Sequence, residues 1–228
     1  MGRILFDLRG GDPGLRFSPY CWRAKMALAH KGLAFDTNAV TFTEIEHATD
    51  GFSATVPVLH DGGTRIRDSF DIALYLDRTY PERPLFGDPA IVALARFVEN
   101  WTFLSVNALG MKMIVSDIHA ALDENDRAYF RQSREARLGR SLEEAQLGVA
   151  ACRGDLKKAL EPARRALSDS EWLSGAEPRF PDYILFGSLM WIHTISRDPL
   201  FAPDDPVGHW FERAARLYPE LGIAQSAA

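Results

Sequence analysis

The stretch Ser18-Pro19-Tyr20-Cys21 sits where a C-P-Y-C pair would open a helix and carry dithiol redox chemistry, but its first cysteine is a serine. A serine cannot be the attacking thiolate, and no evident histidine base accompanies Ser18 for serine nucleophilic chemistry. What remains is a hydroxyl donor at a helix N-terminus, where free N–H groups and the helix dipole favour an anion. A free thiol has a pKa of about 8.5, and lowering it by two units takes roughly 2.7 kcal/mol. One hydrogen bond to a charged sulfur supplies roughly 1.5–3 kcal/mol, and the helix end roughly 0.3–1 kcal/mol. Ser18 is therefore equipped to ionise a thiol that arrives with a ligand. As an N-cap alone it would also have a sufficient role.

Two other pairs suit a peptide-like ligand. Val56-Pro57 stands immediately before a strand. A cis bond there would aim the Val56 N–H and C=O at a ligand as a short β-ladder, whereas a trans proline would merely start the strand. At Asp68-Ser69, the Ser69 hydroxyl and backbone N–H suit a carboxylate and Asp68 suits an ammonium. Together they could hold the amino-acid end of a peptide, and both also read as helix caps. Cys21 could form a mixed disulfide with a thiol ligand, or be a small buried residue facing inward with Ala24 and Leu28. Cys152 has no motif. The six histidines show no metal-ligand spacing, so no metal is expected.

The elements that must position these residues change character near residue 85. Residues 3–8 read as a strand, 9–17 as a Gly-rich loop, and Ser18-Pro19 as the cap and first turn of a helix ending at Lys31-Gly32. A second strand (33–40) and a short helix follow. A hairpin runs from Val58–His60 through Asp61-Gly62-Gly63 to Arg65–Arg67, before a helix carrying Ile72, Leu76 and Tyr80. This βαβ–ββα order is the thioredoxin layout, with a four-stranded mixed sheet. Residues 81–89 form a linker with three prolines. Beyond it the pattern predicts helices only. One spans 90 to about 119, with Phe97, Trp101, Leu104, Ala108, Met111 and Val115 as its core stripe. Others are predicted at 125–150, from Gly154-Asp155 to about 168, over the apolar run 181–195, and at 205–219. The fold class is α+β followed by all-α, with domains at 1–82 and 89–228.

Taken in order and spacing, Ser18, Val56-Pro57 and Asp68-Ser69 make the chain resemble a cytosolic glutathione transferase over its full length. GAEPRFPDYILFG resembles the family's helix-6 motif, in which Asp182 structures a buried helix start. SPYCWRAKMALAHKG, DRAYFRQSREARLGRSLEEAQLG and WIHTISRDPLFAPDDP are similar to stretches of the bacterial β-aryl-etherase type and the fungal transferases related to it. The resemblance implies that Ser18 activates the glutathione thiol, that Pro57 is cis, that Val56 pairs with the glutathione backbone, and that Asp68-Ser69 anchor its γ-glutamyl end. It also implies a homodimer. No Tyr precedes Tyr20, which excludes the tyrosine-activated classes. Between Lys31 and Arg65 there is no Lys or Arg, and Arg16 and His47 are the candidates for the glycine carboxylate of glutathione. At the helix-6 cap stands Arg179, where Ser, Thr or Asn is usual. The C-terminus is shorter than in long-tailed etherases, implying a more open pocket.

Composition sets the outer limits. The 228 residues carry a net charge of −5 and 46% hydrophobic residues, an ordinary globular balance that argues against an extended nucleic-acid surface. No run of about 18 apolar residues suggests a membrane span. Two cysteines and no signal peptide suit the cytoplasm. The expected function is a glutathione transferase whose thiolate attacks a hydrophobic aromatic electrophile held between the domains, including cleavage of β-aryl ethers of lignin-derived compounds. The alternatives are a low-turnover carrier of aromatic ligands and a thiol oxidoreductase acting through Cys21.

Overall fold

The computed structural model describes residues 2–196 and 198–223. Strand β1 (Arg3–Leu8) lies in the middle of a four-stranded sheet of order β2-β1-β3-β4. It pairs parallel with β2 (Asp36–Val40) and antiparallel with β3 (Val58–Asp61), which forms a hairpin with β4 (Thr64–Arg67). Between β1 and β2 the chain runs through α1 (Pro19–His30). The short α2 (Ile45–Ala48) follows β2, and α3 (Ser69–Thr79) follows β4. This is the expected thioredoxin-like sheet. Helix α1 starts where the cap chemistry predicts. Ser18 accepts from the Cys21 N–H at 3.3 Å, Pro19 occupies the first turn, and Gly32 closes the helix in the left-handed region at φ 67°.

The proline-rich linker is held by partly buried polar contacts. Asp77 on α3 accepts from the Leu85 and Phe86 N–H groups at 2.7 and 3.1 Å. Lys31 pairs with Asp77 and donates to the Tyr80 carbonyl at 2.8 Å. The carboxylate therefore has both a charge partner and backbone donors, which offset the cost of its partial desolvation.

Beyond the linker the described residues are helical apart from turns and one isolated bridge, Trp172 to Gly175. The predicted single helix over 90–119 is α4 (Pro89–Trp101) and α5 (Ala108–Ala121) joined by a π-helical segment, Thr102–Asn107. Its predicted core stripe holds only in part: Val115 is fully buried and Trp101 and Met111 pack against the core, but Phe97 is 66% exposed, Leu104 69%, and Ala108 is exposed too. The buried face instead uses Ala95, Val98, Thr102 and Val106, small or branched residues that let the neighbouring helix come close. The predicted helix over 125–150 is broken into α6 (Glu124–Leu138), α7 (Leu142–Gln146) and the start of α8 (Val149–Ala159). Gly139, at φ 67°, ends α6, and a Ser141–Glu144 capping box starts α7. Helix α9 (Glu161–Asp169) has Pro162 in its first turn, so the helix predicted from Gly154 to 168 is two.

At the centre lies α10 (Phe180–Ile195), buried along almost its whole length, and α11 (Pro206–Ala215) packs beside it. Asp182 sits at the start of α10. It accepts from the Leu173, Ser174 and Arg179 N–H groups and from the Trp210 indole N–H, at 2.8 to 3.3 Å. Only this half of a capping box forms, because the Arg179 guanidinium has no acceptor to return to the helix. It donates to the Pro84 carbonyl instead.

Helix α10 packs directly on α1. Gly187 makes this contact close: a Cβ there would meet the Pro19 carbonyl oxygen at 2.4 Å. Deeper along the same interface Arg23, 1% exposed, donates to Ser188 at 3.3 Å and faces Glu99 of α4 at 3.7 Å. Near the end of α1, His30 Nδ1 lies 2.7 Å from the Tyr183 hydroxyl and 3.2 Å from that of Tyr218. Burial, followed by the charges of Arg179 and Lys31, pushes the His30 pKa down to about 4, against opposing influences from the Pro84 backbone and Asp77.

Two outcomes follow for stability. Gly187→Ala forces α10 away from a backbone carbonyl that has no rotamer to change, and should cost about 1–3 kcal/mol in a urea titration. His30 is held neutral in the folded state, so its contribution is complete above the ordinary pKa of about 6.5 and is lost as pH falls towards 4. By the lower end the loss should approach roughly 3 kcal/mol. His30→Gln should flatten this part of the stability–pH curve; identical slopes in the two proteins would mean that His30 takes up its proton without disturbing the fold.

Candidate functional site

A cavity of about 1030 Å³ opens between the sheet domain and the helices. One wall carries Ser18, Val56, Pro57, Asp68 and Ser69, residues of three stretches distant in sequence that the sheet and the starts of two helices bring together. Ser18, 4% exposed, uses its oxygen to accept from the Cys21 N–H, which leaves the hydroxyl proton available to a ligand. The Val56-Pro57 bond is cis. Asp68 caps α3: its Oδ1 accepts from the Phe70 and Asp71 N–H groups at 2.8 and 3.2 Å. Its φ of 72° lies in the left-handed region, uncommon outside glycine, and these two bonds help to hold it there. The Ser69 hydroxyl is buried with no hydrogen-bond partner among the described residues. A buried orphan hydroxyl beside a cavity is a place where a ligand atom would restore a lost bond.

Arg16 and His47 do not join this wall. Arg16 turns to Asp7 of β1, whose carboxylate also has Lys25 Nζ at 2.5 Å, and its guanidinium is taken up there at 3.7 Å. His47 is exposed on α2, from which Ile45 reaches the cavity. The cations that do line the cavity are Arg67, Lys112, Arg134 and Arg137. Sequence reasoning missed them, because three lie on helices read as core or as a solvated face. Asn107 and Met111 of the long helical stretch line the cavity, while Trp101 and Ser105 do not, and of the loop before α1 only Phe17 does. The opposite wall is largely apolar, with Phe42, Phe103, Leu104, Tyr129, Phe130 and Trp191.

The loop that carries Phe42 is fixed by the helical domain. Asp126 of α6, fully buried, accepts from the Phe42 and Thr43 N–H groups at 2.7 and 2.9 Å and from the Thr43 hydroxyl at 2.9 Å. Three donors satisfy the carboxylate and hold the cavity rim in place.

Cys21 is fully buried and does not line the cavity. Burial and Asp7 push its thiol well above the usual range, while the Ser18 side chain, the Leu8 backbone and Lys25 pull the other way. A thiol held protonated and covered is a poor nucleophile. No group of three or more His, Cys, Asp or Glu among the described residues could hold a metal, and no described helix is long and apolar enough to cross a membrane.

Comparison with known proteins agrees with this geometry. Residues 17–79 match the family model for the glutathione S-transferase N-terminal domain, and residues 93–200 match a model for the glutathione S-transferase C-terminal domain. A probable glutathione transferase of Aplysia californica is 34% identical over 34% of this chain and 86% of its own length. Glutathione S-transferase 1 of Dianthus caryophyllus is 41% identical over 30% of this chain, which spans about a third of that relative's length (33%). Among solved structures, a glutathione transferase from Phanerochaete chrysosporium superposes with a TM-score of 0.84 at 23% identity, over 94% of this chain and 96% of that one. A glutathione S-transferase of Ceriporiopsis subvermispora, in complex with glutathione, gives 0.75 at 24% identity, over 99% and 95%. These two are likenesses of fold.

The state of Cys21 can be read by alkylation. In the native protein at pH 8, iodoacetamide should label the half-buried Cys152 and leave Cys21 unmodified, as read by peptide mass spectrometry. Comparable labelling at both would show that the thiol of Cys21 is open and reactive.

Proposed function

Since the chain belongs to the glutathione transferase superfamily, we propose that it binds glutathione in this cavity and activates its thiol through Ser18 for attack on a hydrophobic aromatic electrophile. The observation that carries the reading is the position of Ser18: a buried hydroxyl with a free proton, at the N-terminus of α1, on the rim of an apolar cavity. In this reading the γ-glutamyl end of glutathione lies against Asp68 and Ser69, filling the unpartnered hydroxyl, and its cysteine backbone pairs with Val56. The sulfur then falls within reach of Ser18. There the hydroxyl and the helix end stabilise the thiolate, and the apolar wall excludes water from the charge.

The class of electrophile is the finer part of the proposal. Stretches similar to the β-aryl-etherase type favour cleavage of β-aryl ethers, in which the thiolate displaces an aryloxide from the ether carbon. The cosubstrate is glutathione and no metal is required. The composition suits a cytoplasmic protein, and the family resemblance a homodimer of two-domain subunits divided near residues 82–89. The cavity's size and apolar lining also suit a carrier of aromatic compounds with little turnover, and measuring turnover beside ligand affinity separates the two.

The test is the pH–rate profile. Ser18→Ala should raise the pKa of the bound thiol by about one to two units. Less thiolate is then present at neutral pH, so the rate there should fall about ten- to hundredfold, with recovery as pH rises through the new pKa. Superimposable profiles would reduce Ser18 to a helix cap. Failure of glutathione to bind, or binding unchanged in Ser69→Ala, would overturn the placement of the tripeptide.

A further inference from the structure

The cavity divides its charges. Asp68 and Asp71 lie at the sheet-domain end beside Arg67, whereas the helical domain contributes Lys112, Arg134 and Arg137 and no carboxylate. Of these, Arg134 has an environment that needs explaining. Its guanidinium lies over the rings of Phe130 and Phe42, 4.7 and 5.5 Å from their centroids. Nη1 donates to the Ser133 hydroxyl at 3.0 Å, Nε is buried with no partner, and no ion pair reaches this residue among the described residues.

Arg23, more deeply buried, faces Glu99, and Arg164 pairs with Glu161 and Asp205; Arg213, which lies over the Trp172 ring with its Nε likewise unpartnered, donates to the Glu171 carbonyl and lies outside the cavity. A cation half removed from water without a counter-charge carries a cost, and two ring faces offset only part of it. The groups that act on Arg134 agree: burial and the like charge of Arg137 weaken its hold on the proton, and only Tyr129 opposes them. A guanidinium held flat by aromatic rings, with donors unspent, is built to take a planar carboxylate through two parallel hydrogen bonds.

We propose that Arg134 is a specificity residue for the second substrate, and that this substrate is an aromatic compound bearing a carboxylate. The word substrate rests on the transferase reading; the anion site rests on the geometry alone. The aromatic body would lie against Phe42, Tyr129 and Phe130, with its carboxylate on Arg134 and its reactive carbon towards Ser18. Arg137 and Lys112 add positive potential at the mouth, which in a chain of net charge −5 is a local reversal of sign.

A matched pair of probes tests this: 4-chloro-3-nitrobenzoate and its methyl ester. With each, the glutathione sulfur would form a C–S bond at the chlorine-bearing carbon. Chloride would leave with the bonding pair, and the thiol proton would pass to solvent. Calorimetry on the full chain without glutathione should show the acid binding about tenfold or more tightly than the ester, as expected for a hydrogen-bonded ion pair. Arg134→Gln should abolish that preference and Arg134→Lys should keep part of it, with affinity for the ester and for glutathione changed less than twofold. Rising salt should erode the preference in the wild-type protein, a reading that needs no variant to fold.

No preference for the acid in the wild-type protein overturns the proposal. So does a preference that survives Arg134→Gln, or a loss of glutathione affinity as large as the loss for the acid, which would assign Arg134 to the tripeptide. A protein that prefers the acid through Arg134 but forms no thioether from either probe would sink the transferase reading and leave the anion site standing.

Discussion

The approach of α10 to the first turn of α1 is the contact on which the rest of the arrangement depends. It is possible because position 187 has no side chain: the Pro19 carbonyl occupies the space where a Cβ would be. Interiors packed to crystal density transmit such a constraint, since neither helix can shift without opening a void or a clash. Arg23 then secures the interface with a hydrogen bond to Ser188 on α10 and a charge contact to Glu99 on α4. Away from α10, α1 meets α3 and β1, and Ala24, Ala27 and Leu28 belong to the same core. The helix is clamped on both sides, and Ser18 is placed by that clamp.

The polar residues of the interior serve the same end. Asp77, Asp126 and Asp182 each collect backbone N–H groups from loops that would otherwise leave them unpaired. Burial pushes the Asp182 carboxyl up, and its donors, Trp210 among them, pull it back towards the charged form. One carboxylate with several donors avoids the cost of several orphaned amides, which is why acidic residues appear so far inside an ordinary core.

The thioredoxin-like half was readable because its signals are local. Ser18 and Pro19 mark a helix start, Gly62-Gly63 a hairpin turn and Gly32 a helix stop, each by backbone chemistry that tertiary packing did not override. The helical half was readable in kind but not in detail. The stripe of large residues from Phe97 to Met111 follows the side of the helix that looks outward and into the cavity, because the core side is chosen by how closely the neighbouring helix can approach and so favours Ala95, Val98 and Gly110. Periodicity records where apolar residues recur, and a ligand wall and a core look alike to it. The short π-helical segment also adds a residue to the turn, which a 3.6-residue reading cannot see. At the site, Ser18, Val56-Pro57 and Asp68-Ser69 were legible as a set. The basic residues of the cavity were not, since a cation on a charged helix such as α6 reveals its role only through the missing partner. Arg16 lies off that wall for the converse reason: its partner, Asp7, is on a strand nine residues back.

Asp126 sits in the helical half yet fixes a loop of the sheet half, and Gly187 does the same for the turn that carries Ser18. The division of labour suggested by two domains is therefore incomplete. A chimera made by joining this sheet domain to the helical domain of a distant relative would change more than the shape of the second pocket. Without a glycine at the α10 contact and a carboxylate under residues 42–43, the activating hydroxyl and the cavity rim would both be displaced. The two halves are thus expected to be inherited as a matched pair, and to drift together over evolutionary time.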